Sequence, residues 1–385
     1  MKKKIMIVLG TRSEIIKFSS IIRELKRRKI FDVKILHTGQ HETKDLMKLL
    51  DLPEPDIYLG ESLRKKWARK GKMYSILLAV FWLMKTFLGI RRTIIKEKPD
   101  AIFYQGNCMS VPITVFAAKS VSKKIILIHR ESGIRTHNIF EPFLGELSEI
   151  IGDRFADILF TPSKVAENNL KKEKIRGLIF NVGDPHVEII DYVLKRLKLA
   201  EGYKKEKYIK GYKKEKYIIV NVIRFENINN KNKMKNLVEI LIKSPFKVIF
   251  PMNPNTKDKL KRFGFWGELE KHPHIVLCDP YNYIDFLYLI KNSEAVLTDS
   301  GGVQQEAFIL KVPCIFLGKI NVWKEFENIG VVRSTEFDVK KTLKLLQEIK
   351  NKGYFYKKVK KAKYPLGDGK ATKKIVDILE KKLGV

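Results

Sequence analysis

The sequence predicts an α/β protein of two doubly wound domains facing a cleft, and three observations carry that reading. Short, continuous apolar runs bounded by turn residues recur at residues 5–9, 33–36, 101–104, 125–128, 158–160 and 179–182. Helical patterns fill the gaps, the alternation expected of a parallel sheet covered on both faces. After a break at Gly183-Asp184-Pro185 the alternation starts again, with strands expected at 217–222, 248–250, 275–278, 295–297 and 314–317. A length of 385 residues also suits two domains. We expect them over residues 1–185 and 186–364, with a terminal helix within residues 365–385 packing back on the first.

The elements can be justified in order. The first run ends at Gly10 and passes through Thr11-Arg12-Ser13-Glu14 into a helical pattern that reaches about residue 29. Met1-Lys2-Lys3-Lys4 is basic, but the apolar run after it is too short for a signal peptide. The next strand closes at His37-Thr38-Gly39-Gln40-His41. Polar clusters at 10–14, 105–107 and 131–136 each follow a strand directly, which places all three at the carboxyl edge of the sheet, where ligands of such folds bind. Residues 202–210 are nearly duplicated in 211–219; the first copy is so highly charged that it reads as a solvated insertion near 200–216. An amphipathic helix over about 372–383 ends the chain.

Composition narrows the partners. Lys and Arg number 76 against 43 Asp and Glu, a net charge of +33, which favours nucleotides, nucleic acid or an anionic membrane surface. No basic–aromatic binding motif accompanies the charge, so nucleic acid is an unlikely partner. Cys108, Cys278 and Cys314 are far apart, with neither metal-type spacing nor a framework of pairs, as in a reducing cytoplasm; we expect no metal and no cofactor. Residues 74–84 are apolar nearly all round, between Arg64, Lys65, Lys66, Arg69, Lys70 and Lys72 on one side and Lys85, Arg91 and Arg92 on the other. The run falls short of the ~20 residues a membrane span needs. A buried helix is the preferred reading and a basic interfacial helix, peripheral to an anionic membrane, the rival.

The strongest local signal is Thr298-Asp299-Ser300-Gly301-Gly302-Val303-Gln304-Gln305-Glu306-Ala307. It reads as a strand end, a tight turn and a helix start. Two glycines let the backbone approach a ligand, and the free N–H groups of the first helical turn favour an anion such as phosphate. Glu306, about one turn further, can accept from a sugar hydroxyl. The plain alternative is a helix capped by Ser300.

Five motifs then fall in one order. They are Gly10-Thr11-Arg12-x-Glu14-x-x-Lys17, His37-x-x-Gln40-His41, Glu131-Ser132-Gly133-Ile134-Arg135-Thr136, Thr298-Asp-Ser-Gly-Gly-Val-Gln304 and Pro365-x-Gly-Asp-Gly369. Together they resemble the non-hydrolysing UDP-N-acetylglucosamine 2-epimerases over nearly the whole chain. The resemblance implies the two-domain architecture of GT-B glycosyltransferases, with Rossmann-like domains and a UDP-sugar in the cleft. It implies removal of the C2 proton with elimination of UDP, then re-addition on the other face, interconverting UDP-GlcNAc and UDP-ManNAc. It implies Arg12, Ser300, Gly301 and Gly302 at the diphosphate and Glu306 at the ribose, with Arg135 and Arg224 as further substrate cations. Lys17, Glu131 and Glu146 are the catalytic candidates, with His129 a structural residue. A homodimer is an assembly the resemblance leaves open.

The chain departs from the family on the sugar side. The family's His-Gly-Asp is Gln105-Gly106-Asn107, and its Pro-Glu-Glu-x-x-Arg is Leu144-Gly145-Glu146-Leu147-Ser148-Glu149. Its Gly-His-Arg is Val222-Ile223-Arg224, a later histidine is Asn253, and Glu-Arg-Pro-Glu is Val322-Trp323-Lys324-Glu325. Three functions therefore stay open. The first is a 2-epimerase with redistributed acid–base roles. The second is a membrane-surface glycosyltransferase using a UDP-sugar donor, and the third a non-catalytic UDP-sugar binder. The epimerase, in the cytoplasm or at its membrane face, is the reading we carry forward.

Overall fold

The structure is a computed structural model that describes residues 2–60, 72–138, 145–199 and 216–384. The charged insertion, the basic residues at 64–70 and Leu144 lie outside the described residues. Two compact units emerge, one over Met1–Phe140, Leu144–Ile189 and Leu366–Val385, the other over Ile190–Pro365.

In the first unit, β1 (Lys4–Leu9), α1 (Arg12–Arg28), β2 (Asp32–His37), α2 (Lys44–Leu49), β3 (Ile57–Tyr58) and α3 (Lys72–Glu97) come first. Then follow β4 (Ala101–Gln105), α4 (Ser110–Val121), β5 (Ile126–Arg130), α5 (Gly145–Phe155), β6 (Ile158–Thr161), α6 (Lys164–Lys172), β7 (Leu178–Asn181) and the start of α7 (His186–Leu199). The strands form one seven-stranded sheet in the order β3-β2-β1-β4-β5-β6-β7, with parallel pairings throughout. From Ile5 to Leu9 every residue of β1 is buried, and so is all of β4, the pattern of strands covered on both faces.

The second unit repeats the plan. It runs β8 (Tyr217–Asn221), α8 (Phe225–Ile228), α9 (Lys231–Ile242), β9 (Lys247–Pro251), α10 (Pro254–Arg262), α11 (Trp266–Glu270), β10 (Ile275–Cys278) and α12 (Tyr283–Lys291). It continues with β11 (Ala295–Thr298), α13 (Gly301–Ile309), β12 (Cys314–Phe316), α14 (Lys324–Asn328), β13 (Val332–Ser334), α15 (Val339–Lys350) and α16 (Tyr354–Lys361). Its six parallel strands lie in the order β10-β9-β8-β11-β12-β13. Asn253 closes the loop after β9 by accepting from Asn255 N at 3.1 Å, with Pro254 in the first turn of α10.

The last helix, α17 (Ala371–Leu383), belongs to the first unit. It lies against α1 through Thr372 Oγ1 on Ser20 Oγ at 2.9 Å and through Arg28, which reaches Asp377 at 2.6 Å and Glu380 at 3.1 Å. Leu366 O accepts from Asp184 N at 2.6 Å, tying the approach to α17 to the end of the unit's last strand.

Both sheets reverse their order at one place, between β1 and β4 and between β8 and β11. Loops leaving two such neighbours part to opposite faces and open a crevice at the carboxyl edge. Residues 10–14 and 105–107 flank the first switch point, and 222–224 and 299–302 the second.

The edge strands β3 and β13 are absent from the sequence reading; two or three residues are too few to show a period. Correction falls on the apolar run at 74–84. Where side chains are described, Val80, Phe81 and Met84 are 52%, 62% and 58% exposed, while Trp82 and Leu83 pack on the core. The expected buried helix is thus amphipathic there: every third or fourth residue faces the core and the opposite face carries apolar groups outward.

Candidate functional site

Glu14 organises the first switch point. Thr11 caps α1, its Oγ1 accepting from Glu14 N at 3.2 Å, and the Glu14 carboxylate accepts from Gly10 N at 2.9 Å and Thr11 N at 2.7 Å. Ser110 Oγ donates to the same carboxylate at 2.7 Å, which locks the start of α4 to the start of α1. Burial raises the proton affinity of Glu14 and these donors oppose the rise. The resulting loop leaves Arg12 exposed in the first turn of α1. Lys17, on the same helix, turns inward and makes an ion pair with Glu131.

Glu131 is buried and adopts φ 65°, a left-handed conformation that a side chain with a Cβ rarely takes and that costs about 1–3 kcal/mol. The surroundings hold it there. Preceding it, Arg130 donates to Gln105 Oε1 at 2.6 Å and to Asp184 at 2.7 Å, both deep in the sheet. Following it, Gly133 has φ 81°, and a Cβ there would come within 2.2 Å of Ala166 O. Only glycine fits.

Arg135 and Glu146 support this loop instead of opening into it. The Arg135 side chain is 1% exposed, pairs with Glu173 through two bonds of 2.7 Å and reaches Asp153 at 2.7 Å. Glu146 accepts from Thr136 N and Oγ1, both at 2.7 Å, and from His137 N at 3.2 Å. As placed here both side chains are engaged within the loop, Arg135 by two carboxylates and Glu146 by three donors. At two of the substituted positions, Gly145 and Asn107, this chain has no carboxylate.

A second layer lies beneath. His129 Nδ1 donates to Asp153 Oδ1 at 2.7 Å, and Asp153 Oδ2 accepts from Gly133 N at 3.1 Å. Glu149 Oε2 stands 3.6 Å from His129 Nε2, and neither atom has a hydrogen-bond partner among the described residues. Burial, with the charges of Asp153 and Glu131, holds the Glu149 carboxyl well above the usual carboxylate range. Burial alone would raise Asp153 too, but the His129 and Arg135 contacts outweigh it and lower that group. His129, Glu149 and Asp153 place ligand-type atoms within 4.8 Å of one another, the one such grouping among the described residues. Arg135 and the His129 bond already occupy Asp153, so the grouping is a hydrogen-bonded cluster.

Sequence reading gave Glu149 only as a departure from the motif, passed over Asp153, and gave Asp299 only as a motif residue. The first two had a signal: with Glu146 they recur at i, i+3 and i+7 on α5, carboxylates on a buried helix face, where each must find a partner.

In the second unit Asp299 does for the loops what Glu14 does in the first. It accepts from Ile223 N at 2.9 Å, Arg224 N at 3.0 Å and Asn227 Nδ2 at 2.9 Å, joining the ends of β8 and β11. Ser300 caps α13 by accepting from Val303 N at 3.4 Å. Gly301 sits under Trp323, whose Nε1 donates to Gly301 O at 3.0 Å; a Cβ there would lie 2.9 Å from Val322 Cγ2. Around Gly302 the nearest group to such a Cβ is Ser300 Oγ at 3.9 Å, so the helix start is open on that side. Arg224 donates to Ile320 O at 3.0 Å with its guanidinium 5.5 Å over the Phe316 ring. Glu306 is buried in α13.

These two switch points define a doubly wound α/β protein with an anion-type helix start in one unit and a buried acid–base cluster in the other. A family model described as UDP-N-acetylglucosamine 2-epimerase matches residues 23–380, and the chain belongs to that family. It is 34% identical to the UDP-N-acetylglucosamine 2-epimerase of Methanocaldococcus jannaschii, over 98% of each chain. Another relative of that name, from Methanococcus maripaludis, is also 34% identical over 98% of each. The crystal structure of the Methanocaldococcus jannaschii enzyme in complex with UDP-GlcNAc and UDP superimposes with a TM-score of 0.82 at 33% identity, covering 98% of this chain and 99% of that one.

Proposed function

We propose that this protein interconverts UDP-GlcNAc and its C2 epimer UDP-ManNAc. The observation that carries the reading is the Lys17–Glu131 pair, a buried carboxylate with a partner cation, held on strained backbone at the carboxyl end of β5, one strand from the switch point. In this reading Glu131 exchanges the proton at C2. The electron pair of the C2–H bond forms the glycal double bond while that of the C1–O bond leaves on UDP, and re-addition with protonation on the other face gives the epimer. Backbone N–H groups at Ser300, Gly301 and Gly302 stabilise the charge on the departing diphosphate, a role for which fixed dipoles are well suited. Glu306 accepts from the ribose, and Arg12 and Arg224 supply positive charge. Lys17 pairs with Glu131, while Arg135 and Glu146 hold its loop. Neither step needs a redox cofactor.

Incubating the protein with UDP-GlcNAc in deuterated water tests this directly. Deuterium at C2, followed by NMR, is the expected result; absence of exchange where UDP-GlcNAc demonstrably binds would sink it.

One observation favours a setting for the reaction. Phe81, Met84, Leu88 and Ile95 form an exposed apolar stripe along α3, beside exposed Lys85 and Arg92. No helix among the described residues is long and apolar enough to cross a membrane. We assign the stripe to peripheral contact with an anionic membrane, in a cytoplasmic enzyme; pairing of two copies through the same face is the outcome that would replace it.

A further inference from the structure

The charges around Glu131 do not balance without one more proton. Lys17 from α1 answers Glu131, and Arg135 from the loop after β5 answers Asp153 from α5. Glu149, also from α5, is left facing His129 from β5. Tyr104 from β4 lies tilted against the imidazole, with ring centroids 5.0 Å apart, and spends its hydroxyl on Gly152 O at 3.0 Å. Glu149 is 4% exposed and His129 is sealed, so an ionised Glu149 beside a neutral imidazole would be an uncompensated buried charge. One proton must sit on this pair.

We propose that Glu149 is a proton-bearing positioning residue for the sugar-side chemistry: as a neutral acid against His129 Nε2 it leaves the Lys17–Glu131 pair undisturbed. When Glu149 loses its proton, a third carboxylate charge adjoins that pair, competes with Glu131 for Lys17 and slows the exchange cycle. This chain carries the device where Gly145 and Asn107 have removed other carboxylates, and it is built from the residue standing in place of an arginine in the motif that this segment otherwise resembles. Burial and the neighbouring acids push Glu149 in the direction the device needs.

The proposal rests on the epimerase reading, and the experiment separates the two. C2 exchange is measured against pH for the wild type, Glu149→Gln and Glu149→Leu, with UDP affinity as a check on the nucleotide site. The wild-type rate should fall on the alkaline side. Glu149→Gln, which cannot ionise, should lose that fall and keep a larger share of turnover than Glu149→Leu, which lowers kcat by about tenfold or more. An unchanged alkaline limb in Glu149→Gln overturns the proposal. Independently of turnover, the His129 ring nitrogens are followed by NMR through the same pH range. Their titration should differ between the wild type and Glu149→Gln; coincident curves overturn the proposal even if no substrate is turned over. No C2 exchange in the wild type, with UDP bound and the His129 curves distinct, would reject the epimerase reading and leave the buried proton standing.

Discussion

His37 illustrates how a single buried group writes a pH dependence into the fold. Its Nδ1 accepts from Gly39 N at 3.0 Å, Thr43 Oγ1 meets Nε2 at 2.8 Å, and the ring stacks on Tyr58 with centroids 4.8 Å apart. Burial lowers its pKa from 6.5 to about 4. The unfolded chain therefore binds a proton at this site between those limits and the folded one does not, so stability is full above about pH 6.5 and falls as the pH drops towards 4. With the side chain fully buried, the loss reaches about 3 kcal/mol. Urea denaturation at pH 7 and at pH 4 should show wild type losing more than His37→Asn by that order. Equal losses would mean that this imidazole opens to solvent without cost. The sequence showed His37 only as part of a motif, since burial comes from β3, whose two residues escape any periodicity.

At the scale of elements, the alternation of apolar runs and helices was enough to locate eleven of the thirteen strands among the described residues. It also placed the polar clusters at the carboxyl edge, because a strand buried on both faces leaves little ambiguity of pattern. The candidate site was less legible. Glu131 and Lys17 are visible as motif residues, but their pairing joins positions 114 residues apart and depends on β1 and β4 being neighbours. Arg135 and Glu146 are visible as motif residues too, but their partners Asp153, Glu173 and Thr136 are not, because a charged residue in a motif has the same appearance whether it faces a substrate or a buried partner. The N-terminus of α13 offers a clean separation of these two roles. Ser300→Ala removes the cap and should cost about 1 kcal/mol in urea denaturation. If the same turn holds a diphosphate, UDP affinity measured by calorimetry should fall as well, because the cap fixes the N–H groups that face the anion. A loss of stability with unchanged UDP affinity would leave Ser300 a helix cap and place the diphosphate elsewhere.

For the molecule as a whole, the open quantity is what a net charge of +33 accomplishes. In the proposed membrane contact, long-range charge and the apolar stripe of α3 act together, but they respond differently to salt. Surface charge acts over the Debye length, about 10 Å at 0.1 M salt and about 3 Å at 1 M, so attraction by charge alone disappears as salt rises. Burial of Phe81, Met84 and Leu88 in a headgroup layer is apolar and survives it. Flotation with vesicles of mixed neutral and anionic lipids should therefore show strong binding at low salt and a residual fraction at 1 M. The double variant Phe81→Ser/Met84→Ser should keep the low-salt binding and lose the residue. Binding that vanishes entirely with salt in the wild type would reduce the contact to a diffuse field around a basic surface. No binding at low salt, accompanied by a concentration-dependent dimer that the same double variant breaks, would transfer the stripe from the membrane to a second copy of the chain.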